Sequence, residues 1–252
     1  MKSKLILPRL PENLESLRKE EDRIRTQSLL HIDGDAALKD HLDLVHDSLD
    51  AVHALTISHV NANEEELVIQ RLGIRLFNSG ACALSFLLAG YYQNSALLIR
   101  DLLETGFLID YFRSEPTKIR QWRDASDKDR EKHFQPVQIR DALDKRDGFK
   151  EKKRGAAYRL LSNYATHPTN PGFKLFSPNW MSKIGPFFDE GYLKALLEEL
   201  TKRLPASANV YVRSFSIVIP EVEAAREFFL NRLSVWSKKY MEQPNRHQRG
   251  TA

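Results

Sequence analysis

Apolar residues recur at spacings of three and four along nearly the whole chain, and no segment combines two-residue alternation with bounding turn residues. That periodicity is helical: 3.6 residues per turn bring i, i+3, i+4 and i+7 onto one face, whereas a strand exposed on one side has a period of two. The chain is therefore expected to be all-α, a multi-helix bundle. Its first two segments, PENLESLRKEEDRIRTQSLLHI (11–32) and GDAALKDHLDLVHDSLDAVHALTISHV (34–60), read as amphipathic arms, the second capped by Asp35. NANEEELVIQRLGIRLFNSGACALSFLLAG (61–90) follows, with Asn63 as a cap and acidic residues in its first turn, where the helix dipole favours them. Its second half is apolar all round. YYQNSALLIRDLLETGFLIDYFRSEP (91–116) restarts at Asn94 and Ser95 and stops before Pro116, because the residue ahead of a proline avoids helical backbone. Joined by the short break AGYYQNS, these two helices form a central antiparallel apolar hairpin.

The later chain is more punctuated. RDASDKDREKHFQP (123–136) reads as a polar surface connection, and helices follow over 137–148 and 149–167. Between Thr169 and Phe188 stand Pro171, Gly172, Pro178, Gly185 and Pro186, too many breakers for regular structure. A long loop inside a compact domain is often a functional one. Helices return over 189–204, over 206–219 and, after Pro220, over 221–241. The organisation expected is N-terminal amphipathic helices (1–62), a helical core domain (63–240) and a flexible tail (241–252).

Composition narrows the class. Of 252 residues, 42% are hydrophobic and 29% charged, which is the balance of a water-soluble globular chain, and the net charge of +4 is compatible with an anionic partner without requiring one. A single cysteine, Cys82, rules out a disulfide framework and is expected as a buried small hydrophobe. Pro8, Arg9 and Pro11 interrupt the N-terminal apolar patch before a signal sequence can form. The uncharged run from Leu76 to Ile99 contains Asn78, Ser79, Ser85, Gln93 and Asn94, so it reads as two packed helices and not as a membrane span. A cytoplasmic location and no membrane partner are expected.

Two constellations carry candidate chemistry. In RDLLETGF, Arg100 and Glu104 stand one helical turn apart within an apolar context. Charges there are costly to desolvate unless they satisfy each other or engage a ligand, so the pair is either a structural staple or an anion site in which Glu104 orients Arg100. In YRLLSNYATHPT, Tyr158, Ser162 and Asn163 precede His167 at the end of a helical run. The helix dipole stabilises a cationic imidazole at that position, which suits acid-base work, although histidine also favours helix ends for stability alone.

The pairing of an Arg-x-x-x-Glu helix with a polar-x-x-x-His helix resembles the HEPN superfamily, the higher eukaryotes and prokaryotes nucleotide-binding domains. Many members of that superfamily are metal-independent ribonucleases, toxins or defence components. The family motif is Arg, a polar residue, three variable positions and His; SNYATH supplies Asn163 and His167, with Ser162 where the arginine would stand. Serine cannot replace a cation that stabilises phosphate charge, so Arg159 or Arg100 would have to compensate. The resemblance spans Asn63 to His167. It implies RNA or another anionic ligand as partner, His167, Arg100, Glu104 and Asn163 as catalytic residues, and Tyr158, Arg159, Ser162, Lys153 and Arg154 as binding residues, with no metal or other cofactor. A looser likeness to uncharacterised bacterial all-α proteins, sharing the Arg/Glu hairpin and the Ser-x-x-x-x-His helix, implies no chemistry.

Lys145, Arg146, Lys150, Lys152, Lys153 and Arg154 outnumber Asp141, Asp144, Asp147 and Glu151 over the same stretch. That excess would bind phosphate in a salt-sensitive way, or it is a solvated helix face. His41, His46, His53 and His59 follow one another at five, seven and six residues, which places no two of them at the i, i+4 spacing of a helical zinc pair. His46 and His53 lie one heptad apart beside the parallel series Leu42, Leu49 and Thr56, a seam that a homodimer could use. A non-catalytic interaction or dimerisation module is therefore the second reading of the whole chain. Walker loops, dinucleotide glycine patterns, nucleophile elbows and cysteine clusters are all missing from the sequence.

Overall fold

A computed structural model describes residues 10–166, 168–178, 181–215 and 219–242. The chain is all-α, and there is no strand among the described residues. α1 (Leu10–Asp33) and α2 (Ala36–Ser58) lead into α3 (Glu64–Leu88) and α4 (Tyr92–Ser114). Short helices α5 (Thr117–Asp124), α6 (Asp127–His133) and α7 (Pro136–Arg146) precede α8 (Lys153–Leu161), which continues into a π turn, Ser162–Thr166, and a 3-10 turn, Gly172–Phe176. Two long helices, α9 (Glu190–Val212) and α10 (Pro220–Tyr240), complete the order.

The caps follow the sequence. The Asp35 side chain accepts from the backbone N–H of Ala37 and Leu38, and Asn63 from that of Glu66, so each carboxylate or amide oxygen satisfies donors that the first helical turn leaves free. α3 and α4 pack as the expected hairpin. Ser95 donates to the Ala83 carbonyl and Ser79 donates to Asp101, contacts that run in opposite directions along the two helices and make them antiparallel. The turn between them uses Gly90 at φ +83°, where a side chain would strain the backbone and a Cβ would lie 2.2 Å from the Phe187 carbonyl oxygen. α4 restarts at Tyr92, two residues before the expected Asn94.

α9 lies across α2, α3 and α4 and buries Leu193, Leu197, Leu200, Leu204, Ala208 and Tyr211 completely. It approaches α4 at Gly106, where a Cβ would collide with the Ser207 hydroxyl. The sequence reading split this helix at Pro205; it is instead continuous, with the proline inside it. Losing one backbone hydrogen bond is outweighed here by the apolar face that the helix presents on both sides of Pro205. α2 is not an arm: Leu44, Val45, Val52 and Leu55 belong to the same buried cluster as the hairpin, and α10 packs on it. His41 is a core residue, accepting from Trp236 Nε1 at 2.9 Å on Nδ1. His46 and His53 are exposed while Leu42 and Leu49 are buried; each histidine follows its leucine by one helical turn, so the two series are neighbouring rows, with the histidines along the solvent edge of the packed face of α2.

Three further expectations change. The polar stretch 123–136 folds α6 and the start of α7, with Ser126 capping α6. The segment after residue 168 has regular structure in its 3-10 turn, which buries Leu175. Cys82 is exposed, because α3 turns that side of its apolar second half away from α4 and α9. The tail beyond residue 242 lies outside the described residues.

Candidate functional site

Arg100 and Glu104 lie on the side of α4 that meets α8 and the π turn. Arg100 is four-fifths buried and its guanidinium is fully engaged on two nitrogens: Nε donates to Ser162 Oγ at 2.9 Å, and Nη2 donates to Glu104 Oε1 at 3.2 Å and to the Tyr158 hydroxyl. Four residues singled out in the sequence, Arg100, Glu104, Tyr158 and Ser162, therefore meet. The Tyr158 ring is flanked by two cations, with Arg100 Cζ 4.5 Å and Arg140 Cζ 3.9 Å from its centroid, where the ring quadrupole attracts positive charge. Ser162 is buried at the start of the π turn.

His167 lies outside the described residues. Asn163 is exposed, and its backbone carbonyl accepts from Thr169 Oγ1, which also accepts from the Gly172 N–H, so the segment beyond the turn folds back onto it. A Cβ on Gly172 would lie 2.9 Å from the Tyr164 carbonyl oxygen, and only glycine allows this close return. A π turn contains an extra residue and pairs positions five apart, which is why an i, i+4 reading from Asn163 does not describe this segment.

The two arginines of the basic stretch are engaged internally. Arg154 bonds Asp144 at 2.7 Å and also pairs with Asp147, while Arg146 forms a bidentate pair with Asp110 at 2.9 Å and bonds Asp147 at 2.7 Å. The Arg146 guanidinium holds the Asp147 carboxyl down at about 2, against the opposing effect of burial and with further help from Arg154. This network fastens α7 and α8 to α4. Lys153 and Arg159 are exposed, Lys153 with its ammonium 5.7 Å from the Phe149 ring centre.

Beside Glu104 opens a cavity of about 260 Å³ between α3, α4, α5 and α7. Phe107, Trp122, Phe134 and Ile139 give it apolar walls, and Arg75, Asp101, Glu104 and Arg140 are its charged lining. Sequence reasoning gave Arg140 no role. Its signal was the i, i+4 spacing of Arg140 and Asp144 immediately beside the apolar positions Ile139 and Leu143, which predicts that both charges are drawn into the interface of α7.

No protein-family model matches the chain, and no curated protein or solved structure is significantly similar to it. Among the described residues, no helix is long and apolar enough to cross a membrane, and no three metal-ligating side chains gather.

Proposed function

We propose that the chain is an RNA-directed, HEPN-like protein acting as a metal-independent ribonuclease. One observation supports this reading above the rest: the Arg100 guanidinium bonds Ser162 at 2.9 Å, so a cation from the hairpin stands at the position where the sequence motif lacks its own arginine. In this reading Arg100 holds the scissile phosphate and Glu104 orients Arg100. Asn163, exposed on the π turn, positions the phosphate or the imidazole. The RNA 2′-hydroxyl oxygen bonds to phosphorus as the P–O5′ bond breaks, which leaves a 2′,3′-cyclic phosphate and a 5′-hydroxyl. His167 carries one of the two protons that must move. A cytoplasmic site of action and a homodimer formed along the outer side of α2 belong to the same proposal.

The second reading, a non-catalytic interaction module, is favoured by the internal use of both Nε and Nη2 of Arg100. Incubation of EDTA-treated protein with an RNA oligonucleotide and with DNA of the same sequence separates the two. Cleavage of RNA alone, lowered at least about 100-fold by His167→Ala, is the expected result. Cleavage unaffected by that substitution refutes the acid-base role, and absence of cleavage leaves the module.

A further inference from the structure

The cavity beside Glu104 is lined by one arginine that lacks a hydrogen-bond partner. Of its four ionic side chains, Arg75 pairs with Asp101, which also accepts from Ser79 at 2.7 Å, and Glu104 pairs with Arg100. Arg140 remains. Its residue is 9% exposed, its Nη1 is fully buried with no hydrogen-bond partner, and its Cζ lies 3.9 Å from the centre of the Tyr158 ring; Asp144 Oδ2, one turn along α7, is buried and likewise without a hydrogen-bond partner. Leaving a buried charged donor without an acceptor is costly, so a native structure that keeps one has a reason for it.

The geometry points to a binding site for a small aromatic monoanion, an aryl carboxylate of one or two rings, with its ring among Phe107, Trp122 and Phe134 and its carboxylate on the Arg140 guanidinium. Aromatic walls select a planar apolar body. The guanidinium fork matches a carboxylate in two parallel hydrogen bonds. Arg140 is the one charged group of the lining that makes no ion pair or hydrogen bond among the described residues, so it can take one carboxylate, and the carboxylates of Asp101 and Glu104 on the same lining disfavour a dianion such as a phosphate monoester. At about 260 Å³ the cavity falls just below the range of drug-sized pockets, which sets the ligand at one or two rings. Nothing in this inference rests on the ribonuclease reading, since it needs neither RNA nor His167.

Calorimetric titration of the full-length protein with 2-naphthoate, with the neutral analogue 2-naphthalenemethanol and with adenosine monophosphate tests it. Naphthoate is expected to bind at least about tenfold more tightly than the alcohol, the margin of one charge-assisted contact in a partly buried site. Arg140→Met is expected to remove that margin while the alcohol binds as before. If Arg140→Met does not fold, Arg140→Lys serves, because it keeps the charge without the planar fork and must still weaken naphthoate selectively. Trp122→Leu is expected to weaken both naphthalenes together. Equal affinities for the acid and the alcohol, tighter binding of adenosine monophosphate than of naphthoate, or no binding of either naphthalene would overturn the assignment. The last of these would mean that Arg140 and the unpaired Asp144 Oδ2, one turn along α7, satisfy each other in solution.

Discussion

The bond between Arg100 and Ser162 is open to direct energetic measurement by a double-mutant cycle. Ser162→Ala deletes the Oγ acceptor while leaving the backbone of the π turn in place. Because Arg100 is four-fifths buried and Ser162 is 6% exposed, water cannot simply replace the lost oxygen, and a hydrogen bond to a charged group in that setting contributes about 1.5–3 kcal/mol. Alanine's better helix propensity returns up to about 0.5 kcal/mol, so the single variant is expected to lose roughly 1–2.5 kcal/mol. Arg100→Met also removes the Glu104 and Tyr158 bonds, but those losses cancel in the cycle. The coupling energy from urea unfolding of wild type, both single variants and the double variant is expected at about 1.5–3 kcal/mol. In a chain of this length the Ser162→Ala variant alone should melt a few degrees lower, at about 2–4 °C per kcal/mol. A coupling energy below about 0.5 kcal/mol, with unchanged slopes in urea, would show that the guanidinium is not held at residue 162 and would remove the main support for the proposed function.

Two other expectations concern the frame. A Cβ at Gly73 would lie 2.2 Å from Cζ of Tyr211, a fully buried ring whose hydroxyl bonds Thr56 at 2.8 Å. Gly73→Ala therefore combines overpacking with a lost hydrogen bond and is expected to cost about 2–4 kcal/mol in urea unfolding; a loss below about 1 kcal/mol would contradict the packing described. Burial lowers the His41 pKa, so the unfolded chain takes up a proton near pH 6.5 that the folded ring resists. That contribution to stability is complete above about pH 6.5 and declines as the pH falls through the folded-state value. The thermal midpoint is expected to drop between pH 7.5 and pH 5.5, and by less in His41→Phe; equal drops would assign the effect to other groups.

Local chemistry explains what was legible in the chain. Asp35, Asn63 and Pro116 act on backbone groups within a few residues of themselves, and the helix boundaries that depend on them came out at or near their expected positions. The apolar hairpin was legible for the same reason, since a three- and four-residue repeat needs no knowledge of its neighbour. Pro205 was misread because its local effect is disruptive, whereas α9 is held by Leu204, Ala208 and Tyr211 packing against other helices. Cys82 was misread because an all-round apolar sequence does not say which side is left uncovered. Within the site, the i, i+4 spacing of Arg100 and Glu104 revealed their pairing, but the approach of Ser162 and Tyr158 to Arg100 spans about sixty positions of sequence. The cavity was hidden for a related reason: its walls come from α3, α4, α5 and α7, and no single segment carries its pattern.

α8 is nine residues long, too short to hold its helical form unaided in water, and it runs into a turn with an extra residue. Besides the Arg154 network and the buried Leu161, its attachment to the hairpin passes through the hydroxyls of Tyr158 and Ser162, both of which accept from one arginine. Any anion that takes those Arg100 donors for itself must therefore take them from α8. Filling that position and releasing one of the segment's tethers would be a single event, so occupancy could be followed by faster backbone amide exchange between residues 153 and 166 without the bound species being seen at all.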